Sequence, residues 1–280
     1  MIRAILFDLD DTLYPENEFV LSGYRSVARE AAANGECAYD AAFDCMQTAF
    51  REEGREAVFP CFLARFPGLS MTLEDMVRVY REHVPEISLF PGYRELIEEL
   101  GEKFRLGMIT DGLPAVQRGK VRALGIEKLF EKIVYTWDYG KERQKPHPYP
   151  FALMLETLQI PPESALFIGD NPEKDGMGAI GAGMLYVRVA PSANEPIERA
   201  LPDNLKEVNP KMVPGGQRSC SIVNPKSAIR NPQSEIRNPQ SKIHNPKSKI
   251  QNPPDGRQET VIYNLLQLPR ILIQLQQGLK

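Results

Sequence analysis

Short apolar runs alternate along the chain with amphipathic stretches. The first run, Ile2 to Phe7, carries β-branched and large apolar residues and stops at acidic positions, the pattern of a buried strand. Four similar runs follow: Phe104 to Ile109 (FRLGMI), Lys132 to Tyr135 (KIVY), Ala165 to Ile168 (ALFI) and Met184 to Val189 (MLYVRV). Between them, Tyr93 to Leu100, Ala115 to Leu124, Pro150 to Leu158 and Glu173 to Ala182 place apolar residues three or four apart. The pairs Leu96/Leu100 and Val121/Leu124 show that helical period. Strand and helix in alternation with short links predict an α/β fold: a doubly wound, Rossmann-like parallel sheet covered by helices on both faces.

Two stretches break the rhythm. From about Tyr14 to Leu89 the chain is rich in Ala, Glu, Arg and Phe and offers no convincing strand, so residues 14–89 are expected to form an inserted helical module. The second break is a seven-residue repeat, in which Ile222, Ile229, Ile236, Ile243 and Ile250 each precede an Asn-Pro pair. Seven is the coiled-coil period, yet a proline in every unit denies a continuous helix at roughly 3 kcal/mol or more each. One apolar residue in seven also buries too little surface to offset chain ordering, so residues 204–258 are expected to be disordered. After the repeat, TVIY at Thr260 to Tyr263 reads as another strand, and Leu265 to Leu275 as an amphipathic helix. The α/β core is therefore expected to draw on residues 1–13, 90–200 and 259–280, with the repeat as an insertion rather than a tail.

Composition changes this picture little. Hydrophobic residues at 42% and charged residues at 25% are ordinary for a soluble globular chain. A net charge of -3 points to no class of partner. Residues 210–258 carry nine basic residues against two acidic ones, a local +7, which could serve nucleic acid or anionic lipid; a solvated linker is the reading adopted. The four cysteines form no CxxC pair, as expected for free thiols in a reducing compartment. No leader precedes the first strand and no apolar run reaches the ~20 residues that span a bilayer, so the expectation is a soluble, cytoplasmic protein with no membrane contact.

The chemistry gathers at strand ends. The first strand runs into FDLDDTLYP, and side chains two apart on an extended segment share a face, which puts Asp8 beside Asp10 at the carboxyl edge of the sheet. That edge is where open α/β sheets bind ligands. Two adjacent carboxylates repel unless a cation lies between them or one is protonated. Thr110 follows the second predicted strand and stands before a helix whose first backbone N–H groups, near Asp111 and Gly112, can hold an anion. Lys145 follows the third strand in a turn stiffened by Pro146 and Pro148. Asp170 follows the fourth, and Asp175 lies five residues on at a predicted helix start. Each signal is weak alone; together, four consecutive strand ends deliver Asp-x-Asp, Thr, Lys and Asp to one edge.

This order resembles the haloacid dehalogenase-like (HAD) superfamily over Ile2 to Ala190, with DLDDT, Thr110, Lys145 and GDNPEKD similar to its four motifs. The resemblance implies a mobile α-helical cap in residues 14–89 and Mg²⁺ held by Asp8, the backbone carbonyl of Asp10, and Asp170. It implies Asp8 as nucleophile toward a small phosphorylated metabolite, Asp10 as general acid and base, Thr110 and Lys145 on the phosphoryl oxygens, and Asp175 in support. Asp11 matches a variable position and would contribute at most a backbone N–H. Dehalogenases of the superfamily lack an acid at the position of Asp10, because a halide leaving group needs no proton. Two other readings keep the same sequence: a phosphomutase whose cap arginines (Arg51, Arg55, Arg65) hold a bisphosphate, and a non-catalytic scaffold working through the basic repeat. The seven cap aromatics Phe19, Tyr24, Phe43, Phe50, Phe59, Phe62 and Phe66 are expected to form the module's own core.

Overall fold

Six parallel strands form one sheet in the order β3-β2-β1-β4-β5-β6 in the computed structural model, which describes residues 1–190 and 260–277. The strands are β1 (Ala4–Phe7), β2 (Arg105–Thr110), β3 (Lys132–Tyr135), β4 (Ala165–Gly169), β5 (Leu185–Val189) and β6 (Thr260–Ile262). β1 is central and completely buried, with Phe7 in register with Met108 on one side and Ile168 on the other. A parallel sheet with helices on both faces buries both sets of side chains, which is why these runs are uniformly apolar instead of alternating.

The pleat divides the strand residues between two cores. Ile5, Phe7, Met108, Leu166 and Ile168 face α5 (Tyr93–Gly101), α6 (Pro114–Leu124) and α9 (Leu268–Gln276). Ala4, Leu6, Ile109 and Phe167 face α7 (Pro148–Leu158) and the short α8 (Met177–Gly181). The predicted helix from Glu173 to Ala182 is in fact a π-helical turn at Pro172–Gly176 followed by α8. Gly176 and Gly178 let this segment press against Tyr186 and Phe151, where any Cβ would collide with a ring. Close approach, rather than a regular helical stripe, sets its path.

Between β1 and β2 the chain builds α1 (Glu16–Ala33), α2 (Tyr39–Glu53), α3 (Val58–Arg65) and α4 (Leu73–Glu82). These four helices enclose a separate cluster around Tyr24, Val27, Met46, Phe62 and Met76. Of the seven aromatics expected there, Phe19 is the exception: it packs into the main core with Leu13 and Tyr14. The excursion leaves and re-enters the sheet domain at one point, where the Phe90 N–H donates to the Leu13 carbonyl at 3.0 Å.

The TVIY segment supplies β6, which pairs with β5 so that Val187 faces Thr260. Leu265, Leu268 and Leu272 beyond it are buried in the main core, and the Leu265 N–H donates to the Tyr93 hydroxyl at 2.8 Å. The seven-residue repeat and its expected disorder lie outside the described residues. Among the described residues, no helix is long and apolar enough to cross a membrane.

Candidate active site

The carboxyl ends of β1, β2 and β4 meet the loop after β3 at a cluster built around Asp8. The Asp8 N–H continues the sheet by donating to the Ile168 carbonyl at 2.9 Å, so the backbone under the carboxylate is fixed by the ladder itself. Its side chain is buried. Lys145 Nζ donates to Asp8 Oδ1 at 2.5 Å and to Asp175 Oδ1 at 2.7 Å, and Thr12 Oγ1 donates to Asp8 Oδ2 at 3.3 Å. Lys145 is itself 3% exposed, which no lysine tolerates without anionic partners. Burial opposes its charge, but Asp175, Asp8 and Asp111 outweigh that and hold its pKa above the usual lysine value.

Asp175 rides on the π-helical turn that Asn171 opens: Asn171 Oδ1 accepts the Glu173 and Lys174 N–H groups, while its own N–H donates to Asp175 Oδ2 at 3.1 Å. Gly169 gives the carboxylate its room, since a Cβ there would lie 2.5 Å from Asp175 Cγ. Asp170 is half-buried and forms no salt bridge among the described residues. Burial, with Asp175 and Asp11 nearby, pushes its carboxyl up to about 6.

One oxygen each from Asp8, Asp170 and Asp175 lies within 4.8 Å of the other two. Burial, and the charges of Asp175 and Asp10, also push the Asp8 carboxyl up despite Lys145. Three carboxylates thus crowd around one ammonium, and the surplus negative charge calls for a cation. Hard, anionic oxygen donors at this spacing fit a divalent ion such as Mg²⁺.

Asp10 stands two residues on in a pocket of its own. Tyr14 Oη donates to Oδ1 at 2.5 Å, Lys120 Nζ to the same oxygen at 2.6 Å, and Gln117 Nε2 to Oδ2 at 2.8 Å. Burial works against its charge, but Lys120, Tyr14 and Gln117 together hold the carboxyl below the usual carboxylate value. Gln117 Nε2 also donates to Thr110 Oγ1 at 2.6 Å, tying the end of β2 to the same group.

The Asp111 carboxylate turns away from this pocket and accepts the Thr136 hydroxyl at 2.7 Å and the Lys145 N–H at 3.1 Å, anchoring the lysine's loop. Gly112 follows with φ +124°, a conformation that side chains other than glycine's rarely adopt. Asp11 does more than the expected backbone N–H: at φ +53° its carboxylate accepts the Glu16 N–H at 2.8 Å and pins the start of α1. His147 caps α7 by accepting the Tyr149 N–H at 3.1 Å. Arg55, one of the cap arginines, is bound in two hydrogen bonds to Glu16 at 3.1 and 2.8 Å.

The structure thus brings Asp8, Asp10, Thr110, Lys145, Asp170 and Asp175 to one edge. The sequence gives Tyr14, Gln117 and Lys120 no place among the candidate site residues. A signal existed for two of them, because Gln117, Lys120, Val121 and Leu124 form one stripe of α6, and all four are buried. Polar residues on an otherwise apolar stripe need a polar partner inside the protein.

Comparison with known proteins agrees with this geometry. A family model described as haloacid dehalogenase-like hydrolase matches residues 5–189. A glyceraldehyde 3-phosphate phosphatase of Methanopyrus kandleri is 29% identical over 216 residues, spanning 74% of this chain and 92% of that protein. A pyrophosphatase PpaX of Bacillus pumilus is 28% identical over 177 residues, spanning 61% of this chain and 75% of its own. Among solved structures, a HAD-superfamily hydrolase of subfamily IA from Geobacter sulfurreducens superposes with a TM-score of 0.50 at 25% identity, covering 70% of this chain and 89% of that one. A 2-haloacid dehalogenase of Pseudomonas syringae shares the fold, with a TM-score of 0.51 at 20% identity, covering 98% of this chain and 100% of that one. This chain belongs to the haloacid dehalogenase-like hydrolase family.

Proposed function

We propose that the protein is a Mg²⁺-dependent phosphatase of small phosphate monoesters, working through a phosphoryl group carried on Asp8. The observation that carries this reading is the buried Asp8 carboxylate, bonded to Lys145 and clustered with Asp170 and Asp175. An anionic ester repels a bare carboxylate, so attack needs compensating positive charge. Lys145 supplies part of it on the nucleophile's own oxygen. Asp8, Asp170 and the Asp10 carbonyl would hold Mg²⁺, which when bound neutralises charge on the phosphoryl oxygens.

Asp8 attacks phosphorus in line, the bond to the leaving oxygen breaks, and Asp10 gives that oxygen its proton. Asp10 then takes a proton from the water that hydrolyses the aspartyl phosphate, and the site is restored. Thr110 and the N–H groups near Gly112 orient the phosphoryl oxygens. Asp175 keeps Lys145 in place. The four helices α1 to α4, residues 14–89, act as the cap over this site.

The names of the relatives favour small substrates, and glyceraldehyde 3-phosphate and pyrophosphate are the first to assay. The phosphomutase alternative is disfavoured by Arg55, whose guanidinium is engaged by Glu16. The test is phosphate release from these two compounds, sugar phosphates, nucleotides, phosphoglycolate and p-nitrophenyl phosphate, with and without Mg²⁺. Turnover of at least one ester only with the metal supports the reading; no turnover of any ester with metal bound would overturn it.

A further inference from the structure

Lys120 lies inside the protein with no structural obligation to do so. It is 3% exposed on a helix face that could have been filled by leucine, and its ammonium reaches Asp10 Oδ1 at 2.6 Å. Removing two charges from water costs several kcal/mol per ion, and a buried pair is often no more stabilising than apolar residues of the same volume. Stability therefore does not account for the lysine. Its partner, Asp10, is the residue that carries the proton transfer of the proposed reaction.

The hydrogen bonds around Asp10 leave a specific vacancy. Each carboxylate oxygen accepts about two hydrogen bonds. Oδ1 is saturated by Tyr14 and Lys120, whereas among the described residues Oδ2 accepts only from Gln117. The open position on Asp10 is thus on Oδ2. Gln117 has a second effect, because its amide also donates to Thr110 Oγ1. A hydroxyl that accepts there keeps its own hydrogen free to donate outward, toward a phosphoryl oxygen. One amide therefore orients both groups.

On the cap side, Lys120 Nζ sits 4.5 Å from the centre of the Phe19 ring on α1, which packs against His83 and Tyr80. The ammonium is thus held between the ring and the Asp10 carboxylate by contacts to both.

From this geometry we infer that Lys120 and Gln117 are positioning residues that hold Asp10 with Oδ2 toward the leaving group and Thr110 as a hydroxyl donor. This inference rests on the phosphatase reading above. Asp10 takes up a proton as the anionic ester binds, passes it from Oδ2 to the leaving oxygen as the P–O bond breaks, and regains it from the attacking water. Neither Lys120 nor Gln117 gains or loses a proton.

The experiment exploits the leaving group. A basic alkoxide cannot depart without a proton, whereas p-nitrophenolate can. In Lys120→Met, kcat/KM for an alkyl phosphate should fall on the order of 100-fold, within the range general acid catalysis supplies, while kcat/KM for p-nitrophenyl phosphate falls less than about tenfold. Lys120→Arg should recover part of the alkyl-ester rate. Equal losses on both esters, or none, would overturn the inference. Should Lys120→Met not fold, Gln117→Leu is judged by the same ratio. Asp10→Asn sets the scale: if it lowers kcat/KM for both esters alike, the role of Asp10 in protonating the leaving group fails and the inference with it. A wild type that turns over no ester refutes the parent reading instead.

Discussion

Gly169 ends β4 directly beneath the Asp175 carboxylate, and replacing it by alanine tests whether the site depends on that close approach. A Cβ built at 169 lies 2.5 Å from Asp175 Cγ and 2.8 Å from Asp175 Cβ, and closer still to Oδ2. Ordinary contact begins at 3.4 Å, so the carboxylate must retreat by about 1 Å. It cannot swing freely: the Asp175 N–H is held by the Asn171 carbonyl at 2.8 Å, and Oδ2 by the Asn171 N–H. Overpacking of this kind costs about 1–3 kcal/mol, of which the reduced freedom of the unfolded chain returns about 0.4–1. The catalytic effect should be larger, because a misplacement near 1 Å, passed from Asp175 to the Lys145 it holds, costs roughly 100-fold. Gly169→Ala should therefore unfold at lower urea concentration by about 1–2 kcal/mol and lose on the order of 100-fold in kcat/KM. Gly119→Ala is the control. No atom lies within 4 Å of a Cβ at that point in α6, so this change should stabilise by about 0.5–1 kcal/mol without altering activity. Gly169→Ala with wild-type stability and kcat/KM within threefold of normal would refute the reasoning.

Asp8→Asn should abolish phosphate release while leaving the near-ultraviolet circular dichroism unchanged, since Lys145 keeps Asp175 at 2.7 Å; residual turnover above a thousandth of wild type would remove the covalent role of Asp8. The Asp170 carboxyl, pushed up to about 6 by burial, holds a proton that Mg²⁺ must displace, so metal affinity measured calorimetrically should weaken about tenfold for each pH unit below 6. Its folded-state pKa lies above the unfolded value, so its contribution to metal-free stability is complete below about pH 4 and is lost as pH rises through 6. A metal affinity unchanged between pH 7.5 and 5 would exclude this carboxyl from the metal site. Leu268→Ala, at a fully buried position, should cost about 2–5 kcal/mol in urea unfolding. Excising residues 204–258 should cost nothing, because 190–203 and 259 remain as a link of about 15 residues, enough for a parallel crossover. Shortening that connection about fivefold favours closure by about 1.4 kcal/mol. A larger loss from the excision than from Leu268→Ala would contradict the strand pairing.

Much of the fold was legible because each buried run in the sequence stops at a polar motif. IRAILF before Asp8 and ALFI before Gly169 could only be strands buried on both faces, and their shared edge followed from the parallel order. The π-helical turn at Pro172–Gly176 was not legible, since glycine spacing does not say which ring each glycine must admit. Phe19 was misassigned for a related reason: its helix belongs to the insertion, but its ring points back to the core. Lys120 and Gln117 were missed because α6 was read from Val121 and Leu124 alone. Their partner Asp10 lies 110 and 107 residues away, a distance that periodicity does not bridge.

The pairing of β6 with β5 bears on how this chain is made. The strands are joined across roughly 70 residues, and at 5–20 residues per second the ribosome needs roughly 4–14 seconds to deliver the second after the first. Throughout that interval the Ala190 N–H, which donates to the Ile262 carbonyl at 2.8 Å in the finished sheet, lacks that partner, and an unpaired strand edge is a template on which another chain can dock. This flank of the sheet is therefore the last to be closed as the chain is made.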